Sequence, residues 1–168
     1  MEAIIMPAPK ILVVYYSRSG TTQGIAKVLS AKLNCSIEEI VEPKGRAGFL
    51  GYWRSIIEAR RKQPANILPA KNDPSLFDLV IIGSPVWAWS VSSPVRAYLA
   101  MNKARLPDVA FFCTFGGGGS ETAFAQMQDI VGRPPRTTCA ITARQVASGE
   151  AGAQVSAFAE ALRKPRSR

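Results

Sequence analysis

The sequence predicts an α/β fold: a three-layer, doubly wound sandwich whose five-stranded parallel sheet runs in the order 2-1-3-4-5 between two layers of helices. Three observations carry this expectation. Strand-like and helix-like hydrophobic periods alternate along the whole chain. Three of the strands are apolar on both faces, and only a sheet covered on two sides buries such strands. Right-handed crossovers then leave few ways to order five strands. At 168 residues the chain is expected to form one domain over 1–168, with a short extension at 1–9 and a basic tail at 165–168.

The elements follow in order. Lys10 to Ser17, KILVVYYS, reads as a strand buried on both faces, and Ile25, Val28, Leu29 and Leu33 give the one-sided stripe of a helix. CSIEEIVE alternates weakly, as an edge strand does. GFLGYWRSIIEARRKQ places Leu50, Trp53 and Ile57 on one helical face, expected to pack into the core, and Pro64 closes it. FDLVIIGS, rich in branched aliphatics, is the clearest central strand. SPVRAYLAMNK opens a helix with Ser93 as the expected N-cap and Pro94 at the first helical position, where a missing N–H costs nothing. DVAFFCTF is a further buried strand. SETAFAQMQDIVG follows as a helix, capped by Ser120 and with Phe124, Met127 and Val131 inward. TTCAITA is the fifth strand, and a closing helix from Glu150 to Lys164 buries Val155, Phe158, Ala159 and Leu162.

Composition excludes several classes of function. The chain is 47% hydrophobic and 20% charged, too apolar for disorder. It has no histidine, which removes the usual metal ligand, the usual general base near neutral pH and every Ser/His or Cys/His nucleophile. Cys35, Cys113 and Cys139 show no CxxC spacing and read as reduced core residues of a cytoplasmic protein. The first ten residues lack the basic start and the apolar length of an export signal, and Pro85 and Pro94 interrupt the most apolar window, so no membrane span is expected. The net charge of +9 is concentrated at Lys44, Arg46, Arg54, Arg60, Arg61 and Lys62, and again at Arg163, Lys164, Arg166 and Arg168. Such a patch suits an acidic partner. No recognised nucleic-acid motif accompanies it, although Phe49, Tyr52 and Trp53 interleave with the charges.

Three loops fall at the carboxyl ends of strands, where sheets of this type hold their ligands. The first, Ser17 to Thr22, joins a buried strand to a helix N-terminus and so converges free N–H groups and a helix dipole on one point. Ser17, Ser19, Thr21 and Thr22 add hydroxyls, Arg18 adds charge and Gly20 permits a tight turn. No lysine stands where a nucleoside-triphosphate loop needs one, and GxGxxG is absent, so a single terminal phosphate suits the loop best. The alternative is a turn that uses Ser and Thr merely because they cap well. The second loop, Gly83 to Pro94, carries Trp87 and Trp89 on a segment stiffened by Pro85. It suits either a flat conjugated ligand or a cover over helix ends. The third, Thr114 to Ser120, spends four successive glycines, which points to something approaching its backbone closely, or else to a flexible connector.

These three motifs together, in this order, resemble the flavodoxin-like family over roughly Lys10 to Lys164. SRSGTT is similar to the family's phosphate loop, GSPVWA to its first isoalloxazine loop and TFGGGGS to its second. The resemblance implies non-covalent FMN, with Ser17, Ser19, Gly20, Thr21 and Thr22, joined by Arg18, at the phosphate. It implies Pro85, Val86, Trp87 and Ala88 along the ring, and Phe115, Gly116, Gly117 and Gly118 at its far edge. This chain departs from the family's small electron carriers in being basic, and in lacking a tyrosine in its third loop.

The expected function is therefore that of an FMN-dependent oxidoreductase or electron-transfer flavoprotein. It would be reduced by NAD(P)H or a reductase, and would act on a quinone-like or protein acceptor, with no side chain required as acid or base. Positive charge near a reduced, anionic flavin stabilises it by about 0.4 kcal/mol per exposed charge at roughly 10 Å in water, before screening. The alternative is a binding module that keeps the fold without the cofactor and docks an acidic partner through residues 44–62. Donor, acceptor, redox potential and oligomeric state are left open.

Overall fold

A computed structural model describes residues 7–44 and 48–165; Arg46, Arg166 and Arg168 lie outside the described residues, as does the side chain of Phe49. Strand β1 (Ile11–Tyr15), helix α1 (Thr21–Leu33), strand β2 (Ser36–Glu39) and helix α2 (Gly48–Arg60) come first, followed by β3 (Leu79–Trp87), the two-residue β4 (Ser90–Val91) and α3 (Ser93–Asn102). Strand β5 (Asp108–Phe115), α4 (Ser120–Val131), β6 (Thr138–Thr142), the short α5 (Ala143–Ser148) and α6 (Ala151–Arg163) complete the order.

The five main strands are parallel and ordered β2-β1-β3-β5-β6, which is the expected 2-1-3-4-5 arrangement. Strand alternation sends successive residues to opposite faces, and both faces are apolar. Ile11, Val13, Leu79, Ile81, Ala110, Phe112 and Ile141 meet Ile25 and Leu29 of α1 and Val155, Phe158 and Leu162 of α6. Leu12, Val14, Val80, Ile82, Val109 and Phe111 meet Val95 and Leu99 of α3 and Met127 and Val131 of α4. Full burial of a side chain such as Leu or Phe is worth about 1.5–3 kcal/mol, so these two layers carry the stability of the sheet. Gly83 is needed in the middle of β3 because a Cβ there would sit 2.0 Å from the Phe112 ring.

The structure corrects several local expectations. Ser92, not Ser93, is the N-cap of α3, with extended backbone (φ −61°, ψ 145°) and no side-chain cap; its amide and hydroxyl pack on Ser84 Oγ at 3.1 and 3.0 Å. Ser93 instead donates its hydroxyl to Glu58 at 2.7 Å. Helix α4 is capped by the left-handed Gly119 (φ 93°), and Ser120 is its first helical residue. The short strand β4 and helix α5 were not expected. In α1, Val28 faces solvent while Ile25 and Leu29 are buried.

The largest correction concerns α2. Its Leu50, Trp53 and Ile57 stripe is 82%, 48% and 46% exposed, while Gly51, Ser55 and Ala59 are buried. Small residues at i, i+4 and i+8 let the helix backbone approach the body closely, and that contact turns the large residues outward. The helix is fastened by polar groups: Arg54 pairs with Glu42 and Glu58, each at 3.0 Å, and Tyr16 donates its hydroxyl to Glu42 at 2.9 Å.

Candidate functional site

Strands β1, β3 and β5 are adjacent, with Tyr15 opposite Gly83 and Pro85 opposite Thr114, so the loops that leave them emerge along one rim. Direct contacts join all three. Tyr16 meets Trp87 edge-on, with ring centroids 5.6 Å apart at 88°. Thr22 Oγ1 lies 2.8 Å from Thr114 Oγ1, both buried. Trp89 rests on Gly118 and Gly119.

Loop one leaves the start of α1 without a side-chain cap. The N-cap is Gly20 at φ 93°, and Ser17 Oγ accepts from the Gly20 amide at 3.0 Å. The N–H groups of the first turn have no acceptor within the helix, and the dipole is positive there. Arg18, Ser19 and Gly20 are exposed, Ser17 and Thr21 half-buried and Thr22 buried. Two of the expected hydroxyls are thus engaged within the protein, Ser17 by its own loop and Thr22 by Thr114. Those of Ser19 and Thr21, with the open backbone at Gly20, are the ones that remain for a ligand. Arg18 points towards α2, its guanidinium 5.6 Å from the centre of the Tyr52 ring, within range of a cation–π contact.

In loop two, Trp87 pairs with Ser90, so Ala88 and Trp89 form a two-residue hairpin turn with φ of 46° and 64°. Two adjacent left-handed residues are normal for Asn-Gly and costly for Ala-Trp, of order 1–3 kcal/mol each. The loop is held in that shape from behind: Gln126 Oε1 accepts from the Val91 amide at 3.0 Å and from Arg96 at 2.9 Å. Pro85, Val86, Trp87 and Ala88 are half-buried and line the rim, while Trp89 is 64% exposed.

Loop three divides in two. A Cβ on Gly118 would lie 2.5 Å from the Trp89 ring, and one on Gly119 would lie 2.7 Å from the Trp89 Cα, so the approach these glycines allow is made by Trp89. Gly116 and Gly117 have no atom within 4 Å of a Cβ position and present open backbone beside the half-buried Phe115. The residues therefore fit a phosphorylated ring ligand, with an uncapped helix start at one end and bare glycine backbone at Gly20, Gly116 and Gly117.

A cleft of ≈ 290 Å³ opens beside this rim, between Arg18, Val86, Trp87 and Ala88 on one side and Tyr52 and Arg60 of α2 on the other. Helical spacing with Leu50 and Ile57 favours core packing for Tyr52 and Trp53 over a place on the rim, and no sequence signal places Arg60 there; with the small face of α2 inward, Tyr52 and Arg60 both line the cleft. Burial pushes the Cys113 and Tyr98 ionisations up and the Arg96 ionisation down, but none of these three lines the cleft. Among the described residues no group of three or more Cys, Asp or Glu is placed to hold a metal ion, and no helix is long and apolar enough to cross a membrane.

Comparison with known proteins adds to this geometry. The family model described as flavodoxin matches residues 10–134. A flavoprotein of Lactobacillus acidophilus NCFM, solved in complex with FMN, is similar in structure at a TM-score of 0.70 and 22% identity, covering 84% of this chain and 98% of that one. Its apo form gives a TM-score of 0.62 at 22% identity, over 82% and 93% of the two chains. The two-electron reduced flavodoxin of Megasphaera elsdenii gives 0.58 at 16% identity, over 92% and 99%. No curated protein sequence matches.

Proposed function

This chain belongs to the flavodoxin family, and from that premise we propose that it is an FMN flavoprotein that exchanges electrons through the bound flavin. Bound FMN supplies a ring that takes up a hydride or single electrons. The protein's part is to hold and orient it. In this reading Ser19, Gly20 and Thr21 donate to the phosphate together with the first-turn amides of α1, and Ser17 and Thr22 fix the loop that presents them. Arg18 adds positive charge. Pro85, Val86, Trp87 and Ala88 lie along the ring, and Phe115, Gly116, Gly117 and Gly118 border its far edge. The observation that carries the proposal is the start of α1, an open helix N-terminus with no capping side chain in a loop rich in hydroxyls.

The activity proposed is that of an oxidoreductase or electron carrier in the cytoplasm, with NAD(P)H or a reductase as donor and a quinone-like or protein acceptor. The chain has no histidine, and the proposed chemistry is supplied by the cofactor.

The test is a fluorescence titration of FMN. The wild-type protein is expected to quench free FMN at one equivalent and to release it on denaturation. Ser19→Ala and Thr21→Ala should each weaken binding by about tenfold, the worth of one hydrogen bond to a charged oxygen at roughly 1.5 kcal/mol. Unquenched FMN at micromolar protein overturns the proposal. The exposed Leu50, Trp53 and Ile57 beside Arg60, Arg61 and Lys62 favour a second reading, a cofactor-free module that docks an acidic protein. That reading requires salt-sensitive capture of such a partner by protein that ignores FMN.

A further inference from the structure

Helix α2 leaves its large residues outside, and neither the core nor the proposed cofactor site uses the row they form. Tyr52 turns to the rim, where Arg18 lies over its ring. Leu50, Trp53 and Ile57 stand at i, i+3 and i+7 on the outward face, all exposed, Leu50 at 82%. Single exposed apolar side chains are normal on a protein surface, but a contiguous row of them marks a contact. Gly51, Ser55 and Ala59 hold the opposite face against the body, so the row cannot turn inward without lifting the helix away.

The charge around this row is positive. Arg60, Arg61 and Lys62 close the helix and are exposed, and the Arg61 amide still bonds the Ile57 carbonyl at 3.0 Å, so these cations lie one turn beyond Ile57. Glu58 is the one carboxylate of α2, and it is spent inward on Arg54 and the Ser93 hydroxyl. Glu42, nearby, accepts from Arg54 and Tyr16. Among the described residues Arg60, Arg61 and Lys62 make no ion pair.

Cations beside apolar tips fit a surface that presents anions at one depth and hydrocarbon just below it. A purely acidic protein surface would satisfy the cations and leave Leu50, Trp53 and Ile57 without an apolar partner. The face is also one helix wide, against the roughly 20–30 residues a side of a stable protein interface. An anionic bilayer takes both kinds of group: lipid phosphates meet the cations, aliphatic tips enter the acyl boundary, and tryptophan favours the head-group level.

We infer that the outward face of α2 docks the protein on an anionic lipid surface, with the helix in the plane of the bilayer, Leu50, Trp53 and Ile57 in its interfacial layer and Arg60, Arg61 and Lys62 on lipid phosphates. Docking stands without the cofactor, since the row and Arg61 and Lys62 lie outside the three loops assigned to FMN. The inner side of α2 borders loops one and two across the cleft, so docking also holds the rim near the lipid. That a lipid-dissolved acceptor reaches the flavin there rests on the flavoprotein reading.

Co-sedimentation with vesicles tests the inference on the full chain, with and without added FMN. The probes are vesicles of phosphatidylcholine alone, and of phosphatidylcholine with about 30% phosphatidylglycerol. Binding is expected to the second kind alone, alike in both forms of the protein, and weakened by salt. Arg60→Gln combined with Arg61→Gln should lower the partition coefficient by about tenfold or more, at roughly fivefold per cation. Leu50→Ser leaves the charge intact and should lower it by about fivefold or more. Lys27→Gln combined with Lys32→Gln removes the same charge from exposed positions of α1, on the other side of the sheet, and should change it by no more than about twofold.

Absence of binding to the anionic vesicles overturns the inference. So does an α1 pair that weakens binding as much as the α2 pair, because net charge would then suffice, or Leu50→Ser without effect, because the apolar row would then take no part. Capture of poly-glutamate without capture of vesicles gives the face to an acidic polypeptide and overturns it too. Vesicle binding by protein that ignores FMN supports the docking face and removes the flavoprotein reading instead.

Discussion

At the scale of single residues, the four-glycine run is two devices, and each has its own test. Gly119 combines φ 93° with a Cβ position 2.7 Å from the Trp89 backbone, so Gly119→Ala should destabilise the protein by about 1–3 kcal/mol in urea unfolding. Gly116 has open space around it and no left-handed φ, so Gly116→Ala should leave stability unchanged or slightly raised. The same change should weaken FMN in a titration, because it places a methyl on the backbone the ring is proposed to approach. The glycines were visible in the sequence; their separate duties were not, because Trp89 reaches them only once the hairpin at Ala88–Trp89 has turned. The hydroxyls of loop one follow the same rule. Their number could be read from SRSGTT, but that Thr22 is engaged by Thr114 depends on a strand 92 positions away.

At the scale of elements, periodicity identified every helix but the six-residue α5 and, in one case, the wrong inner face. In α1, α4 and α6 the large apolar stripe is the buried one, as for any helix against a flat sheet. In α2 a stripe of small residues takes that place, and a hydrophobic pattern alone does not reveal how close two backbones come. Paired substitutions measure the inversion. Ala59→Leu should cost about 1–3 kcal/mol by overpacking a position only 1% exposed, whereas Leu50→Ser, on the outward face, should change stability by no more than about 0.5 kcal/mol. Thermal melts of the two variants decide the matter. For the same reason a place for Tyr52 on the rim loses to core packing when spacing alone is read, and Arg60 gives no signal at all; both line the cleft once α2 packs with its small face inward.

At the scale of the whole molecule, the sheet order and its double coverage were legible because three strands are apolar on both faces, a property of composition that tertiary context does not alter. The same burial sets how stability depends on pH. Burial pushes the Cys139 thiol up to about 11 from its ordinary 9.0, and raises Cys113 and Tyr98 as well. Each group holds its proton more tightly folded than unfolded, so its contribution is complete below the ordinary value and is lost as pH climbs through the folded one. With no histidine to titrate, urea midpoints should be nearly level across neutral pH and fall from about pH 9 upward, and Cys139→Ala should flatten the part of that decline between 9 and 11. The chain has three tryptophans, none of them fully buried: Trp87 ends the first hairpin strand and packs half-buried against one core layer, Trp89 lies in the turn, and Trp53, on the outer face of α2, adjoins Tyr52. Ultraviolet emission from this protein is consequently weighted towards loop two and the outer face of α2, with Trp87 alone touching a packed layer, so it answers to events at that margin more directly than far-ultraviolet ellipticity does.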